Sequence, residues 1–170
     1  VRDFTPTDWE RWVGGGGAGN FKRFLASELL PAIDTQFRTD GFRVLSGHSA
    51  GGGYVLYNLS AEPALFQGYI ALSPSLDWDN GLPRRDLEKS FLAGKRLPAF
   101  LYFAWSDDAG QALAMDEQLV ATLKAHAPTG FRWEAKGYPH ETHGSIALVG
   151  QIDGLRALYS GYRLHNDLLD

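Results

Sequence analysis

The sequence predicts an α/β fold, a mainly parallel sheet flanked by helices. Three observations support this prediction: a short strand pattern runs into a glycine-bounded serine, three more strand patterns follow it, and amphipathic helical patterns lie among and after them. Strands that alternate with helices form parallel sheets that are covered on both faces. A chain of 170 residues has the length of one domain, and we treat residues 1–170 as a single unit.

The first predicted helix spans residues 21–33, where apolar side chains recur at helical spacing. Residues 14–19 precede it as a stretch of four glycines followed by Ala-Gly. A phosphate-binding loop would need a preceding strand and a Lys-Ser or Lys-Thr ending, and this stretch has neither. We therefore interpret residues 14–19 as a flexible linker.

The remaining elements follow in alternation. Residues 41–46 are rich in β-formers and lead into residues 47–51, after which a helix is predicted through residues 54–59. Short runs of β-forming or apolar residues then predict three strands, and two amphipathic patterns predict helices. The predicted strands are residues 69–72, 98–104 and 131–135, and the predicted helices are residues 113–126 and 146–162.

Composition excludes several classes of protein. The net charge of -4 with both signs scattered along the chain gives no basic stripe for nucleic acid. No apolar run approaches the ~20 residues of a membrane span, so we expect a soluble chain, with its compartment left open. The absence of cysteine excludes disulfides, thiolate metal sites and a cysteine nucleophile.

Residues 47–51, Gly-His-Ser-Ala-Gly, fit the G-x-S-x-G nucleophile elbow. Glycines on both sides let strand and helix approach while the serine is held in a strained turn that exposes its hydroxyl. Ser49 is the predicted nucleophile, and the Ala50 amide is the predicted oxyanion donor. The alternative is a tightly packed turn without chemistry, which we disfavour because the flanking strand and helix were inferred independently of the motif.

A serine nucleophile needs a general base, and we predict His143. It lies in the loop between the last predicted strand and the last helix, where α/β-hydrolases place their base. His140 shares this loop and is the alternative. His126 ends a helix, His165 lies in a polar tail, and His48 faces away from the hydroxyl in the usual elbow geometry.

The acid that orients the base should follow the strand at residues 98–104, between nucleophile and base in chain order. Asp107 and Asp108 both lie there. We predict Asp108, because a turn of about three residues usually precedes the acid, and Asp107 remains the alternative. Asp116 and Glu117 are predicted to lie on a helix surface.

Two residues are predicted to contact substrate, His48 in the elbow and Trp78 after a strand end, where open α/β sheets bind ligands. His140, Glu141 and His143 could touch one metal ion, but loop spacing of this kind is weak evidence for a site. We therefore predict no metal and no cofactor.

Six motifs in order carry a resemblance that covers most of the chain. They are Arg-Asp-Phe-Thr-Pro-Thr at 2–7, Phe-Leu and Glu-Leu-Leu-Pro within 24–31, Phe-Arg-Thr at 37–39, Gly-His-Ser-Ala-Gly-Gly at 47–52, Ser-Pro-Ser-Leu at 73–76 and Glu-Thr-His-Gly-Ser at 141–145. With these motifs the chain resembles the α/β-hydrolase family of esterases that includes esterase D and the enterochelin and salmochelin esterases.

The resemblance implies that Ser49 and His143 take the nucleophile and base positions. It also implies carboxylic esters as substrates, including siderophore lactones in one branch. Some siderophore esterases of this family resemble serine and histidine dyads without a well-placed acid, so the family secures neither Asp107 nor Asp108. At 76–79 this chain has Leu-Asp-Trp-Asp where the family often has Leu-Trp-Trp-Asp.

The elbow lies only about 45 residues from Val1, whereas a complete α/β-hydrolase has several strands and an oxyanion-loop donor before it. We therefore expect an N-terminal segment of the same protein that is missing, disordered, cleaved or supplied as another chain. The predicted function is hydrolysis of a small-molecule ester through an acyl-enzyme. The alternatives are acyl transfer at the same site and a non-catalytic binding domain that keeps the hydrolase fold.

Overall fold

Four parallel strands form the sheet of the computed structural model, which describes residues 1–11, 13–94, 97 and 99–161. The strands lie in the order in which the chain visits them, and each is parallel to its neighbour. They are β1 (Val44–His48), β2 (Gly68–Leu72), β3 (Phe100–Trp105) and β4 (Arg132–Gly137). All their carboxyl ends therefore meet at one edge of the sheet.

Helices connect and cover these strands. A 3₁₀ turn at Arg2–Phe4 comes first, and α1 (Ala18–Phe24) runs through a π-helical stretch at Leu25–Leu29 into α2 (Leu30–Gln36). The other helices are α3 (Ala50–Ala61), α4 (Trp78–Leu92), α5 (Gly110–His126) and α6 (Ile146–Leu158). Within the described ranges, no helix has the length and apolar character needed to cross a bilayer.

The two faces of β2 and β3 belong to two different cores. Alternate side chains of a strand point to opposite faces, and here one set packs with α3, α4 and α5 while the other packs with α6. The first set contains Tyr69, Ala71, Leu101 and Phe103, and the second contains Ile70, Leu72, Tyr102 and Ala104. This arrangement confirms the predicted parallel sheet with helices on both faces.

Helix α6 lies very close to the sheet because two glycines face it. A Cβ at Gly150 would lie 2.8 Å from Leu72 Cδ2, and one at Gly154 would lie 2.9 Å from Ile70 Cγ2. The spacing of four residues places both glycines on the same side of the helix. This close packing fixes where α6 begins, and the preceding loop carries His143.

The observed elements differ from the predicted ones mainly at their ends, and α4 has no predicted counterpart. Leu87 and Phe91 are buried at helical spacing, but Pro83 lies within the helix and its first turn has positive φ angles at residues 79–81. Pro98, the predicted start of the third strand, lies outside the described residues, as do His165 and residue 162 at the predicted end of the last helix.

Candidate active site

Ser49 connects β1 to α3 in a conformation that is uncommon for a residue with a side chain. Its φ is 58° and its ψ is −121°. Its N–H donates to the Leu72 carbonyl at 3.0 Å, and its carbonyl accepts from the Ser75 N–H at 3.1 Å. Backbone strain of this kind persists only where the surroundings over-determine it. Here the end of β2 and the loop that follows it hold the turn.

The glycines around Ser49 contribute unequally. A Cβ at Gly47 would lie 2.3 Å from the Gly51 carbonyl oxygen, so this position requires glycine. A Cβ at Gly51 would meet nothing within 4 Å, whereas one at Gly52 would lie 2.9 Å from Pro74 Cα. The expectation that glycines on both sides of the serine permit close approach is therefore correct for Gly47 and wrong for Gly51. Gly52, outside the five-residue motif, is the second required glycine.

The loop of residues 138–145 carries His143, and the structure brings this base loop to the elbow. His143 is exposed, lies between β4 and α6, and its backbone carbonyl is 2.6 Å from Nε2 of His48, 95 residues earlier in the chain. The centroids of the two imidazole rings are 4.5 Å apart. The sequence predicts that His48 contacts substrate. In the structure, its Nε2 contacts the His143 carbonyl of the base loop.

The two candidate acids lie in different surroundings. Asp107 is exposed, and its N–H donates to the Glu141 carbonyl at 2.9 Å. This bond ties the acid loop, residues 106–109, to the base loop. Asp108 is half-buried, its Oδ2 accepts from Ser106 Oγ at 3.2 Å, and it lines the same cavity as His143. Among the described residues, neither carboxylate has a hydrogen bond to the His143 ring. Position alone favours Asp108 over Asp107.

A cavity of about 390 Å³ opens beside these loops. Its walls come from the chain after β2 and β3, the first turns of α5 and the base loop, so it lies where the strands end. Three carboxylates line it, those of Asp77, Asp108 and Asp116, together with the guanidinium of Arg11. The wall of the cavity therefore combines polar and apolar surface, and its carboxyl groups outnumber its guanidinium groups.

Asp116 corrects one prediction, because it does not lie on the helix surface. It is 4% exposed and has no hydrogen-bond partner among the described residues. Burial, with a smaller contribution from the negative charges of Asp108 and Glu117, raises its pKa to about 7. Glu117 is exposed as predicted. Other parts of the chain therefore cover Asp116 on α5, which sequence periodicity does not show.

Trp78 is held beneath the N-terminal segment. It is 5% exposed, its Nε1 donates to Thr7 Oγ1 at 3.1 Å, and its ring packs edge-on against Trp9 with centroids 5.5 Å apart. These contacts are those of a packing residue, and its predicted contact with substrate stays a prediction. Ala50, at the first turn of α3, lines a narrow cavity together with Trp78.

His126 and His140 are the other two histidines among the described residues. His140 is exposed, and Nε2 of His126 lies 3.6 Å from Glu88 Oε1 at the far end of α5. In the part of the chain that the structure describes, no three side chains of the His, Cys, Asp or Glu type stand close enough to hold a metal ion.

Parts of the chain are similar in sequence to curated esterases. The chain is 42% identical to the ferri-bacillibactin esterase BesA of Bacillus subtilis over a stretch covering 46% of this chain and 31% of BesA. It is 36% identical to the siderophore triacetylfusarinine C esterase of Aspergillus fumigatus, covering 56% of this chain and 33% of that protein. The chain thus spans about a third of the length of these curated relatives.

A solved structure, the IroE-like serine hydrolase from Shewanella oneidensis, superimposes with a TM-score of 0.89 at 31% identity, covering 96% of this chain and 58% of that one. The fold is that of the α/β-hydrolases, of which the described residues form a four-stranded part. Residues 7–144 match the model of the family described as "Putative esterase". Because this match covers well over half of the chain, the chain belongs to that esterase family.

Proposed function

We propose that this chain carries the catalytic centre of a serine esterase that acts on siderophore-type or related carboxylic esters. The observation that supports this most directly is the contact between the elbow and the base loop. Ser49 occupies a strained turn at the end of β1. His48, the residue directly before it, contacts the backbone carbonyl of His143. The relatives named as siderophore esterases suggest the class of ester.

In the proposed reaction, Ser49 Oγ attacks the ester carbonyl carbon while its proton passes to the His143 imidazole. The carbonyl oxygen becomes an oxyanion, and the Ala50 N–H at the start of α3 donates to it. Collapse of this intermediate breaks the bond to the alcohol oxygen, which takes the proton from His143. Water then attacks the acyl-enzyme by the same route and releases the acid.

The Ala50 amide suits this role for two reasons. It has no backbone acceptor among the described residues, as expected for an amide in the first turn of a helix. It also lies at the end of α3 where the helix dipole favours negative charge. Both features support a donor that is ready before the oxyanion forms.

We further propose that Asp108, rather than Asp107, orients His143 when substrate is bound. It shares the cavity with His143, and the Ser106 hydroxyl holds its carboxylate in place. Asp108→Asn is therefore expected to lower kcat at least ~10-fold, since orienting acids fix the tautomer of the base. Asp107→Asn should change kcat less than ~2-fold. Equal losses in the two variants would contradict this assignment.

A fluorophosphonate probe tests the proposal directly, because it reacts only with an activated serine. Mass spectrometry should locate the label on Ser49, and Ser49→Ala should abolish it. Ser46→Ala, on the preceding strand β1, is the matched control and should label normally. His143→Ala should lose labelling while His140→Ala keeps it.

Turnover of short, long and aromatic nitrophenyl esters and of a siderophore trilactone would then define the ester class. A competing alcohol in the same assay shows whether water resolves the acyl-enzyme. A folded chain that neither labels nor turns over any of these esters would refute the proposed activity.

A further inference from the structure

We propose that His48 is a positioning residue that fixes the general base relative to the nucleophile, an inference that rests on the proposed function. The residue directly before the nucleophile holds the backbone carbonyl of the residue proposed as the base. The two groups that must exchange a proton are therefore linked through one side chain.

The hydrogen bond defines the state of the His48 ring. A carbonyl oxygen only accepts, so Nε2 of His48 must donate across the 2.6 Å to the His143 carbonyl. In a neutral imidazole the proton then lies on Nε2, and Nδ1 carries none. The contact thus requires one tautomer, which can be measured.

His48 is a firm anchor for this contact. It ends β1, pairs with Leu72 of β2 in the parallel ladder, and is half-buried, whereas His143 is exposed. Its ring also packs against the His143 ring, with centroids 4.5 Å apart and planes inclined by 46°. Both the backbone and the ring of the base therefore rest on a residue whose own backbone is fixed by the sheet.

The other ties of the base loop lead away from the elbow. The Tyr138 N–H donates to the Trp105 carbonyl, and the Asp107 N–H donates to the Glu141 carbonyl, so both bonds join the loop to the end of β3. Thr142 and Ser145 bond to each other within the loop. Among the described residues, the His48 bond is the one hydrogen bond that connects residues 47–53 to this loop.

The consequence concerns rate more than substrate affinity. A displacement of about 1 Å between reacting groups can cost ~100-fold in rate. Among the described residues, loss of the His48 donor would leave the base loop without a hydrogen bond to residues 47–53. It should therefore lower kcat and leave the KM for a small ester almost unchanged.

Two substitutions separate the donor from the bulk of the ring. His48→Phe keeps a ring without the donor and should lower kcat and the rate of Ser49 labelling ~10-fold to 100-fold, with KM within ~2-fold. His48→Gln keeps an N–H of similar reach and should stay within ~5-fold of wild type. His140→Phe is the matched control, because His140 is exposed and should change neither rate. Circular dichroism and thermal melting verify folding.

The inference is overturned if folded His48→Phe keeps the wild-type kcat, or if His48→Gln loses as much activity as His48→Phe. A second measurement does not depend on activity. Long-range ¹H–¹⁵N spectra of the wild-type chain at pH 8, where an ordinary imidazole is neutral, should show His48 protonated at Nε2, with His48→Gln providing the assignment. Protonation at Nδ1 would overturn the inference. If Ser49 does not label, the proposed function fails, and the spectrum still decides whether the contact exists.

Discussion

Asp116 makes the stability of this fold depend on pH in a direction that can be tested. A carboxyl group that is 4% exposed, with its pKa raised from 3.8 to about 7, binds its proton more tightly in the folded chain than in the unfolded chain. The stabilisation from the protonated group is complete below about pH 4 and is lost as the pH rises through about 7. Asp116→Asn replaces the carboxyl with a neutral group of nearly the same shape and should remove this dependence.

The magnitude follows from the pKa change. At about 1.4 kcal/mol for each tenfold change in proton affinity, a rise from 3.8 to about 7 corresponds to at most about 4 kcal/mol. Because Asp116 borders a cavity that water can enter, we expect about 2–4 kcal/mol. The difference in free energy of unfolding, Asp116→Asn minus wild type, should therefore increase by this amount between pH 4 and pH 8 and then level off.

Urea unfolding at four or five pH values between 4 and 9 measures this difference. Glu28→Gln is the control, because Glu28 is an exposed carboxylate with no hydrogen bond or ion pair among the described residues. Its difference from wild type should stay within ~0.5 kcal/mol at every pH. If the difference for Asp116→Asn is as independent of pH as that for Glu28→Gln, or falls as the pH rises, Asp116 is not a buried carboxyl of raised pKa.

Two further predictions follow from close contacts. Gly47→Ala places a methyl group 2.3 Å from the Gly51 carbonyl oxygen and should abolish fluorophosphonate labelling and lower the melting temperature, whereas Gly51→Ala should preserve both. The Tyr138 hydroxyl donates to Asp153 at 2.8 Å, so in the 2.7 Å contact between the two tyrosines the buried Tyr102 hydroxyl must donate to Tyr138. Tyr138→Phe should therefore cost about 1–3 kcal/mol in urea unfolding, and adding Tyr102→Phe should recover part of it; no recovery would contradict this direction of donation.

The sequence predicts the sheet well, because its evidence is local. Each strand is a short run of β-formers bounded by turn residues. Gly47, two residues before Ser49, is required because the strand and the helix are in close contact there. The order of serine, acidic pair and histidine along the chain also places all three at the carboxyl ends of parallel strands. A parallel sheet with sequential strand order then brings these loops to one edge, as the structure shows.

The features that sequence does not predict depend on contacts between distant residues. Asp116 has the spacing of a surface position on α5, yet the folded chain leaves it only 4% exposed. The hydrogen bond between His48 and His143 joins residues 95 positions apart, so no local sequence pattern predicts it. Helix α4 is not predicted because it contains Pro83 and has three consecutive residues of positive φ in its first turn.

Hydrogen bonds between neighbouring strand ends hold the strained backbone of Ser49 and Ser73 in place. The Ser49 N–H bonds to the last carbonyl of β2, the Ser73 N–H bonds to the Ala104 carbonyl near the end of β3, and the Tyr138 N–H bonds to the last carbonyl of β3. Ser49 and Ser73 both have positive φ, which costs on the order of 1–3 kcal/mol at each residue. A single hydrogen bond contributes only about 1 kcal/mol, so no single bond holds either turn. The conformation of Ser49 therefore depends on β2 and β3 beside it, and it is a property of the assembled sheet and not of the five-residue motif alone.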